Sequence, residues 1–332
     1  YDSATHSYFS TYTLGLASGR DAWVYNYSTV KLESNIKNSI EFYNSQVSGY
    51  HGQDVDKYID SDPRKFSWNR NAKQSLEKRR KYSFSKSAIR VSQYRPFSKH
   101  KVYFNKDMNA MLYQNTRMFP ELDTENLVIA VSGIGAQKDF SSLMSNSLTD
   151  LQLVDKAQCF PLYFYDRIEG AQAGLFDSAN DYVRKDGVSD FIFKQARDKY
   201  VDNRIEKEDI FFYVYGLLHS PDYRREFAND LKKMLPRLPL VDKLEDFWSF
   251  SEAGRKLAKL HVDYEEVEPY AGAKVSGTQN NNYHVTKMKF IKKGDKSTIL
   301  YNDSIKIENV PEEAYEYVVN GKSAIEWMLD RY

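Results

Sequence analysis

The sequence predicts a mixed α/β (α+β) fold in which a mixed sheet is flanked by helices. Three stretches lead to this prediction. Residues 206–240 have the apolar spacing of a central helical hairpin, and residues 127–132, LVIAVS, have the β-branched content of a buried strand. Residues 283–291 and 297–307 are strand-like segments joined by the turn sequence KKGD, which is typical of a C-terminal β-hairpin.

The central stretch, residues 206–240, contains a strong helical pattern. Apolar residues in its first half recur on one face of an α-helix. Ser220 and Pro221 have the residue types of an N-cap and a first helical position, so a second helix is predicted to begin there. Pro236 and Pro239 end it, because proline lacks the N–H that a helix needs. The apolar residues of the two predicted helices are Ile210, Phe211, Val214, Leu217, Leu218, Tyr223, Phe227 and Leu231.

The first third of the chain is predicted to begin with short, irregular strands over residues 1–28. A helix is predicted over residues 29–46, because Ser28 or Thr29 can cap it and apolar residues recur on one face. A second helix is predicted from Asn71, where the sequence NAKQSLEKRRKY begins, and it includes the run of cations at residues 78–81. A strand is predicted over residues 101–105.

The remaining elements follow the buried strand. Gly133 and Gly135 predict a turn, and residues 159–165 predict a further strand. Residues 168–190 are rich in Gly, Asp and Ala, which predicts a loop and a candidate domain boundary. Gly254 is expected to weaken the middle of a helix. Helices are predicted over residues 191–200 and 244–260, from Pro311 and from Ser323.

The composition favours a cytoplasmic protein without a membrane partner. The chain has a single cysteine, Cys159, which excludes a disulfide within it and is typical of a reducing compartment. Cys159 lies in an apolar run, so we expect a core residue and not a nucleophile. No apolar run reaches the roughly 20 residues that cross a bilayer, and no secretory leader is present. The chain begins with Tyr1 and not with Met, so we expect a fragment of a longer protein.

The motifs of several enzyme classes are missing from the sequence. There is no GxxxxGK[ST] phosphate loop, and the GxG at residues 133–135 lacks a third glycine. A polar–Pro–Pro–aromatic loop and a Gly-rich strand-to-helix turn, which an adenine methyltransferase needs, are also absent. None of the six histidines has metal-ligand spacing, and His219 is expected to be structural. We therefore expect no catalytic residue, metal or cofactor in this fragment by itself.

Charge is distributed unevenly along a chain whose net charge is only +1. Residues 64–106, which we call the basic tract, contain 14 Lys or Arg and one acid, Glu77, so their net charge is +13. The remaining 33 basic and 45 acidic residues give −12. This asymmetry predicts a basic face with a polyanionic partner.

The basic tract therefore supplies most candidate DNA-binding residues, because phosphates need neutralising cations. Aromatic residues alternate with these cations and can pack beside a duplex. Gln137 and Lys138, on a Gly-flanked turn between predicted strands, are the candidates for contacts in a groove. The candidates are Lys78, Arg79, Arg80, Lys81, Lys86, Arg90, Arg95, Lys99, Lys101, Gln137 and Lys138.

Six stretches of the sequence match one family pattern in order. They are DIFFYVYGLLHSPDYRREF with LPRLPL in residues 206–240, SGRDAWVYNYS at 18–28, YRPFSKHKVYF at 94–104, VSGIGAQKDFSSLMSN at 131–146, CFPLYFYD at 159–166 and GKSAIEWMLDRY at 321–332. Together they resemble the C-terminal specificity region of Type ISP restriction–modification enzymes. The sequence departs from that pattern at Ser98, where an Asp is expected after RPF, so no role of that carboxylate is carried over.

The resemblance implies a sequence-specific double-stranded DNA recognition module. Such enzymes join a nuclease, an ATP-driven translocase, an adenine methyltransferase and a target recognition domain in one polypeptide. Residues 1–62 would then be the end of the methyltransferase and a linking helix, and residues 63–332 the recognition domain. S-adenosylmethionine, ATP and Mg would serve the parent enzyme, and the fragment would contact its other domains.

Two alternatives to DNA recognition are compatible with the sequence. The first is a protein–protein docking domain, in which the basic tract meets an acidic surface of the same enzyme or of another copy. The charge division of +13 against −12 allows this. The second is a stand-alone enzyme, against which the missing motifs argue.

Overall fold

The computed structural model describes residues 7–168 and 182–331. Most of the predicted loop and boundary at 168–190 lies outside the described residues, as does the start of the predicted N-terminal strands. The helices are α1 Asp21–Val24, α2 Thr29–Gly49, α3 Val55–Tyr58, α4 Arg70–Glu77, α5 Asn115–Met118, α6 Asp190–Tyr200, α7 Lys207–Leu218, α8 Pro221–Glu226, α9 Ala228–Leu231, α10 Leu244–Val262 and α11 Ala324–Arg331.

The strands are short, and three single turns of 3₁₀ helix, at Lys86–Ala88, Thr278–Asn280 and Glu312–Tyr315, complete the elements. The helix predicted from Pro311 is the last of these turns. The strands are β1 Thr13–Leu14, β2 Tyr25–Asn26, β3 Ile89–Arg95, β4 Ser98–Tyr103, β5 Val128–Val131, β6 Ser142–Ser145, β7 Leu148–Thr149, β8 Gln158–Pro161, β9 Tyr163–Arg167, β10 Tyr182–Asp186, β11 Lys274–Ser276, β12 Lys289–Lys292, β13 Asp295–Leu300, β14 Lys306–Glu308, β15 Val318–Val319 and β16 Lys322–Ser323.

The mixed α+β class is confirmed, and the strands are divided among several small sheets. Sheet β1-β8-β5-β6 is antiparallel, as is sheet β11-β14-β13-β12 near the C terminus. Sheet β2-β4-β3-β7 is mixed, because β3 and β7 run parallel. The predicted C-terminal hairpin is present as β12 and β13, and β14 continues it.

Sheet β1-β8-β5-β6 separates two hydrophobic cores. Successive side chains of a strand point to opposite faces, so Val128 and Ala130 of β5 enter the first core while Ile129 and Val131 enter the second. All four are buried, which explains why this stretch of sequence is continuously apolar and not alternating. Cys159 of β8 lies in the first core, so its predicted core position is confirmed.

The first core joins the long helix α2 to the residues that follow it. Ser28 caps α2, since its side chain accepts a hydrogen bond from the Lys31 backbone N–H. Tyr43 of α2 stacks on Tyr82 with ring centroids 3.9 Å apart. Residues on both sides of position 62 thus share one core, and the division into residues 1–62 and 63–332 stays a prediction.

The second core contains the predicted helical hairpin, in which α7 is followed by α8 and α9 and the predicted cap at Ser220 is confirmed. The structure differs from the prediction because the second helix is broken into these two parts, and α7 packs mainly against α10. A Cβ on Gly254 would lie 2.0 Å from the Phe212 carbonyl oxygen, and one on Gly216 would lie 2.1 Å from that of Phe250. Gly254 therefore allows two helices to approach closely, a role that its helix propensity does not indicate.

Helix α7 is buried on every side from Ile210 to Leu218, and not only on the predicted face. Across the described ranges, each helix is too short or too polar to cross a lipid bilayer.

Candidate nucleic-acid interface

Strands β3 and β4 form the framework of the candidate site. Their antiparallel register places Val91 opposite Lys101 and Gln93 opposite Lys99. Residues two apart on a strand lie on the same face, so Lys99 and Lys101 share one face of the sheet with Val91.

This face opens into a cavity of about 560 Å³, which we call the basic cleft. Four predicted site residues, Lys86, Arg90, Lys99 and Lys101, line it, and its described lining includes no carboxylate. The other lining residues are Thr29, Ile89, Val91, Phe119, Leu122, Thr124, Asn146, Ser147 and Leu148.

Two of the four cations of the basic cleft are held by internal partners. Arg90 donates to the Phe119 carbonyl at 3.2 Å and to the Glu121 carbonyl, and burial lowers the pKa of its guanidinium. Lys99 donates to the Val262 carbonyl at 2.9 Å and lies 3.7 Å from the Glu265 carboxylate. These contacts hold Arg90 and Lys99 in place at the wall of the cleft, so fewer of their N–H donors are available to a ligand.

Lys86 and Lys101 are the available cations of the basic cleft. Neither forms an ion pair or donates a side-chain hydrogen bond to any residue in 7–168 or 182–331. Lys101 lies on a strand, and Lys86 lies in the 3₁₀ turn that leads into β3. Both ammonium groups are therefore positioned by rigid backbone without a direct partner. The pKa of the Glu33 carboxyl is lowered mainly by its hydrogen bond from Lys37, and the charge of Lys86 contributes to the same shift.

Arg95 lies in an internal network and not on the lining of the cleft. Its guanidinium pairs with Asp150 at 2.7 Å and Asp21 at 3.2 Å, and lies 3.8 Å from the centre of the Tyr94 ring. Only 14% of its side chain is exposed. Burial raises the pKa of Asp150 to about 6, and the charge of Arg95 opposes that shift.

This network connects two of the stretches that matched in the sequence. Tyr25 of β2 pairs with Val102 of β4 and donates a hydrogen bond to Asp150 at 2.9 Å. Asp21, from the same stretch as Tyr25, accepts from Tyr94 at 2.9 Å. The stretches at 18–28 and 94–104 thus pack against each other through strand pairing and side-chain hydrogen bonds. The sequence analysis did not single out either acid, because Arg95, the cation that they share, is more than 50 residues away from each in the chain.

Ser98, where the resemblance led us to expect an Asp, is buried at the start of β4. Its hydroxyl lies 3.2 Å from the Tyr27 hydroxyl. This position is therefore a neutral hydrogen-bonding site in the present chain.

The run of cations at residues 78–81 lies beyond the end of α4, which corrects the predicted helix. α4 ends at Glu77, and Arg79 adopts a left-handed backbone with φ of 51°. Lys78 and Arg80 line a groove together with Lys106, separate in its residues from the basic cleft. Arg80 lies 2.8 Å from the Asp107 carboxylate, so part of this charge is neutralised.

Gln137 and Lys138 lie on an exposed turn, as predicted. Their backbone N–H groups donate to the carboxylate of Asp155. A Cβ on Gly133 would lie 2.1 Å from the Lys156 carbonyl oxygen, so this turn requires glycine there. The turn is therefore rigid, and it presents both side chains to solvent.

A second exposed turn borders the basic cleft and was missed in the sequence. Asn146 and Ser147 connect the fully buried strands β6 and β7. The Ser145 hydroxyl holds this turn through the Ser147 backbone, accepting from its N–H at 3.2 Å. No local pattern marks these residues, because their position at the cleft depends on the pairing of β3 with β7.

Neither metal nor thiol chemistry has a basis in the described residues. No group of three His, Cys, Asp or Glu in those residues is placed to hold a metal ion. His219 is half-buried, and desolvation lowers its pKa to about 4. Burial raises the pKa of the Cys159 thiol to about 12, so the thiolate is disfavoured.

Comparison with known proteins gives a family and a set of solved structures. A sequence profile of the Type ISP C-terminal specificity domain matches residues 7–332. No match was found among curated proteins.

Three solved structures are similar over nearly the whole chain. One is a nuclease-deletion mutant of the Type ISP enzyme LlaGI in complex with a DNA substrate mimic, with 38% identity and a TM-score of 0.84 over 99% of this chain. Another is the ATP-dependent Type ISP enzyme LlaBIII bound to DNA, with 35% identity and a TM-score of 0.88 over 100%. The third is a DrdV–DNA complex, with 30% identity and a TM-score of 0.86 over 98%.

The present chain spans only 29%, 21% and 31% of those three chains, respectively. The family match nevertheless covers nearly every residue, and two of the similar structures carry the same family name. The chain belongs to the Type ISP C-terminal specificity domain family.

Proposed function

We propose that this chain recognises double-stranded DNA sequence-specifically, as the target recognition module of a Type ISP-like restriction–modification enzyme. The observation that supports this most directly is the basic cleft, because two of its cations have no internal partner in the described residues. A phosphate backbone provides the negative charge that such cations lack. The similar structures support the same ligand, since all three are complexes with DNA.

In the proposed interface, one set of residues provides affinity for DNA and another set selects its sequence. Lys86 and Lys101 would neutralise phosphates, which positions the duplex but does not read its sequence. Sequence would be read by side chains on the two rigid turns, at Gln137 with Lys138 and at Asn146. Amide side chains suit this role because they can form paired hydrogen bonds to an adenine edge.

The chemical steps belong, in this proposal, to other parts of a longer chain. An adenine methyltransferase would use S-adenosylmethionine, and a translocase and nuclease would use ATP and Mg. The present chain would hold the target site for them. We expect the isolated chain to transfer no methyl group from labelled donor to DNA and to leave plasmid DNA uncut.

The test is fluorescence anisotropy of a labelled random-sequence duplex titrated with the chain at several salt concentrations. Six to ten phosphate contacts would lower affinity by roughly 10³ to 10⁵ between about 50 and 200 mM salt. The Lys86→Ala/Lys101→Ala variant should lower the slope of log affinity against log salt by about 2. Lys194→Ala/Lys233→Ala removes two exposed lysines away from the cleft and serves as the control.

The same titration tests the docking alternative. If wild-type chain fails to bind duplex at about 50 mM salt, the basic cleft does not bind DNA by itself and the proposal is wrong for this chain. If the chain binds but the cleft variant behaves like the control, the cleft is not the site. Far-UV circular dichroism of each variant shows that the fold is retained.

A further inference from the structure

A second group of cations lies outside the basic tract. Residues 274–306 contain seven lysines and two aspartates, a net charge of +5. The residues outside the basic tract have a total net charge of −12, and this total hides the local excess of lysine. All seven lysines are exposed.

Strand register places several of these lysines on one face of sheet β11-β14-β13-β12. Lys289 pairs with Leu300, and Leu300 pairs with Lys306, so the two lysines lie on the same side, two strands apart. That separation is about 10 Å, because neighbouring strands lie about 4.8 Å apart. Lys306 pairs in turn with Ser276, so Lys274, two residues from Ser276, lies on this side as well.

The opposite face of the same sheet is apolar and partly covered, because Ile299 is buried while Val275 is exposed. Phe290 pairs with Ile299, and Ile299 pairs with Ile307. The ring centroids of Phe290 and Tyr315 are 6.0 Å apart, and the side chain of Ile299 is buried. The sheet therefore packs on the protein through part of one face, and its other face directs Lys274, Lys289 and Lys306 to solvent.

These lysines are largely unpaired within the described chain, although the Ser297 hydrogen bonds that lower the pKa of Asp295 are joined in that effect by the charge of Lys292. Lys296 pairs with Glu326 at 2.8 Å, but the other six form no ion pair with any described residue. The Asp295 carboxylate accepts instead from the Ser297 N–H and hydroxyl. We call these six the lysine face: Lys274, Lys289 and Lys306, which the register places on one side of the sheet, with Lys287, Lys292 and Lys293, which lie next to that side at the two ends of β12.

We propose that the lysine face is a second DNA contact, which binds the phosphate backbone of the duplex outside the basic cleft. This inference rests on the proposed function. Lysine is a compact point charge without the two-pronged geometry of arginine, so the face favours phosphates over base edges. Its contribution is thus independent of sequence, and it lengthens the footprint of the chain on DNA.

The test compares four purified proteins on one labelled random-sequence duplex over a range of salt. The lysine-face variant is Lys289→Ala/Lys292→Ala/Lys293→Ala/Lys306→Ala, and the others are wild type, the cleft variant and the Lys194→Ala/Lys233→Ala control. We expect the lysine-face variant to lower the salt slope by about 3 to 4, since each phosphate contact contributes about 0.9. We also expect wild type, but not this variant, to gain affinity when the duplex is lengthened.

The outcomes separate this inference from the proposed function. If wild type binds, the cleft variant loses affinity and the lysine-face variant matches the control, the second contact is refuted while DNA recognition stands. A surface that serves an acidic protein partner would give this same result. If wild type does not bind duplex at about 50 mM salt, the proposed function and the second contact both fail.

Discussion

The basic tract and the lysine face differ in how many of their cations are available to a ligand. Six of the 14 cations in the basic tract form ion pairs, and Arg90 is held by two carbonyl groups. Of the seven lysines at residues 274–306, one, Lys296, forms an ion pair with the described residues. The denser stretch of charge is therefore the more neutralised one.

The difference has a structural cause. β3 and β4 lie inside a mixed sheet, so Arg95 and Lys99 meet carboxylates from distant parts of the chain, while the other four paired cations of the basic tract meet carboxylates of nearer segments. The C-terminal sheet is fixed by one face only, and its other face meets solvent. Charge counted along a sequence thus measures how basic a segment is, but not how many cations can reach a phosphate.

The largest expected effect concerns Arg95 of the basic tract, which we expect to stabilise the fold through its ion pair with Asp150. Arg95→Met leaves the buried carboxylate of Asp150 without its cation, so we expect a loss of about 3 to 5 kcal/mol in unfolding free energy at pH 7.5. Urea denaturation followed by circular dichroism measures it. Lys101→Met makes the same chemical change on the neighbouring strand and should cost less than about 0.5 kcal/mol. Equal losses of unfolding free energy in the two variants would contradict the distinction between a cation that is paired inside the protein and one that is available to a ligand.

The pH dependence of Asp150 should be nearly as large. Its folded pKa, about 6, is above the ordinary value of 3.8, so between these values the folded protein holds a proton that the unfolded chain releases. The contribution of Asp150 to the free energy of unfolding therefore falls as the pH rises from 3.8 to about 6, and it is constant at higher pH.

The variant Asp150→Asn lacks this titration. The difference in unfolding free energy, variant minus wild type, should rise by up to about 1.4 kcal/mol per pH unit between pH 4 and 6. Urea denaturation at half-unit steps from pH 4 to 7.5 measures it. A difference that stays constant across this range would show that Asp150 is ionised throughout.

A smaller effect is expected at Arg80, whose side chain is 47% exposed. Arg80→Ala removes its pair with Asp107 and its hydrogen bond to the Ser75 hydroxyl. We expect a loss of roughly 0.5 to 1 kcal/mol, since solvent screens a pair at this depth. Repeating the urea titration in 1 M salt should remove most of the loss. A salt-independent loss would indicate packing against Tyr82 as its cause.

The smallest effect is expected on the lysine face. Lys289→Ala/Lys306→Ala should change unfolding free energy by no more than about 0.5 kcal/mol, because neither side chain has a partner to lose in the described structure. Thermal denaturation at matched ionic strength measures it. A stability loss comparable to that of Arg95→Met would mean that these lysines hold the sheet together, and the contrast between the two regions would disappear.

Local sequence determined several elements of this protein. The cap at Ser28, the buried strand at residues 128–131 and the core position of Cys159 follow from side-chain types and their immediate neighbours. The family was also evident in the sequence, because six matching stretches occur in order. These features depend on short-range chemistry, which a sequence displays directly.

The tertiary structure decided which charges are free and which helices pair. Arg95 meets Asp150, 55 residues away, and α7 meets α10 across an interval that the sequence assigned to a hairpin. Asn146 reaches the basic cleft only through the pairing of β3 with β7. Contacts between segments far apart in the chain leave no periodic signal, because their geometry is set by how whole sheets and helices pack.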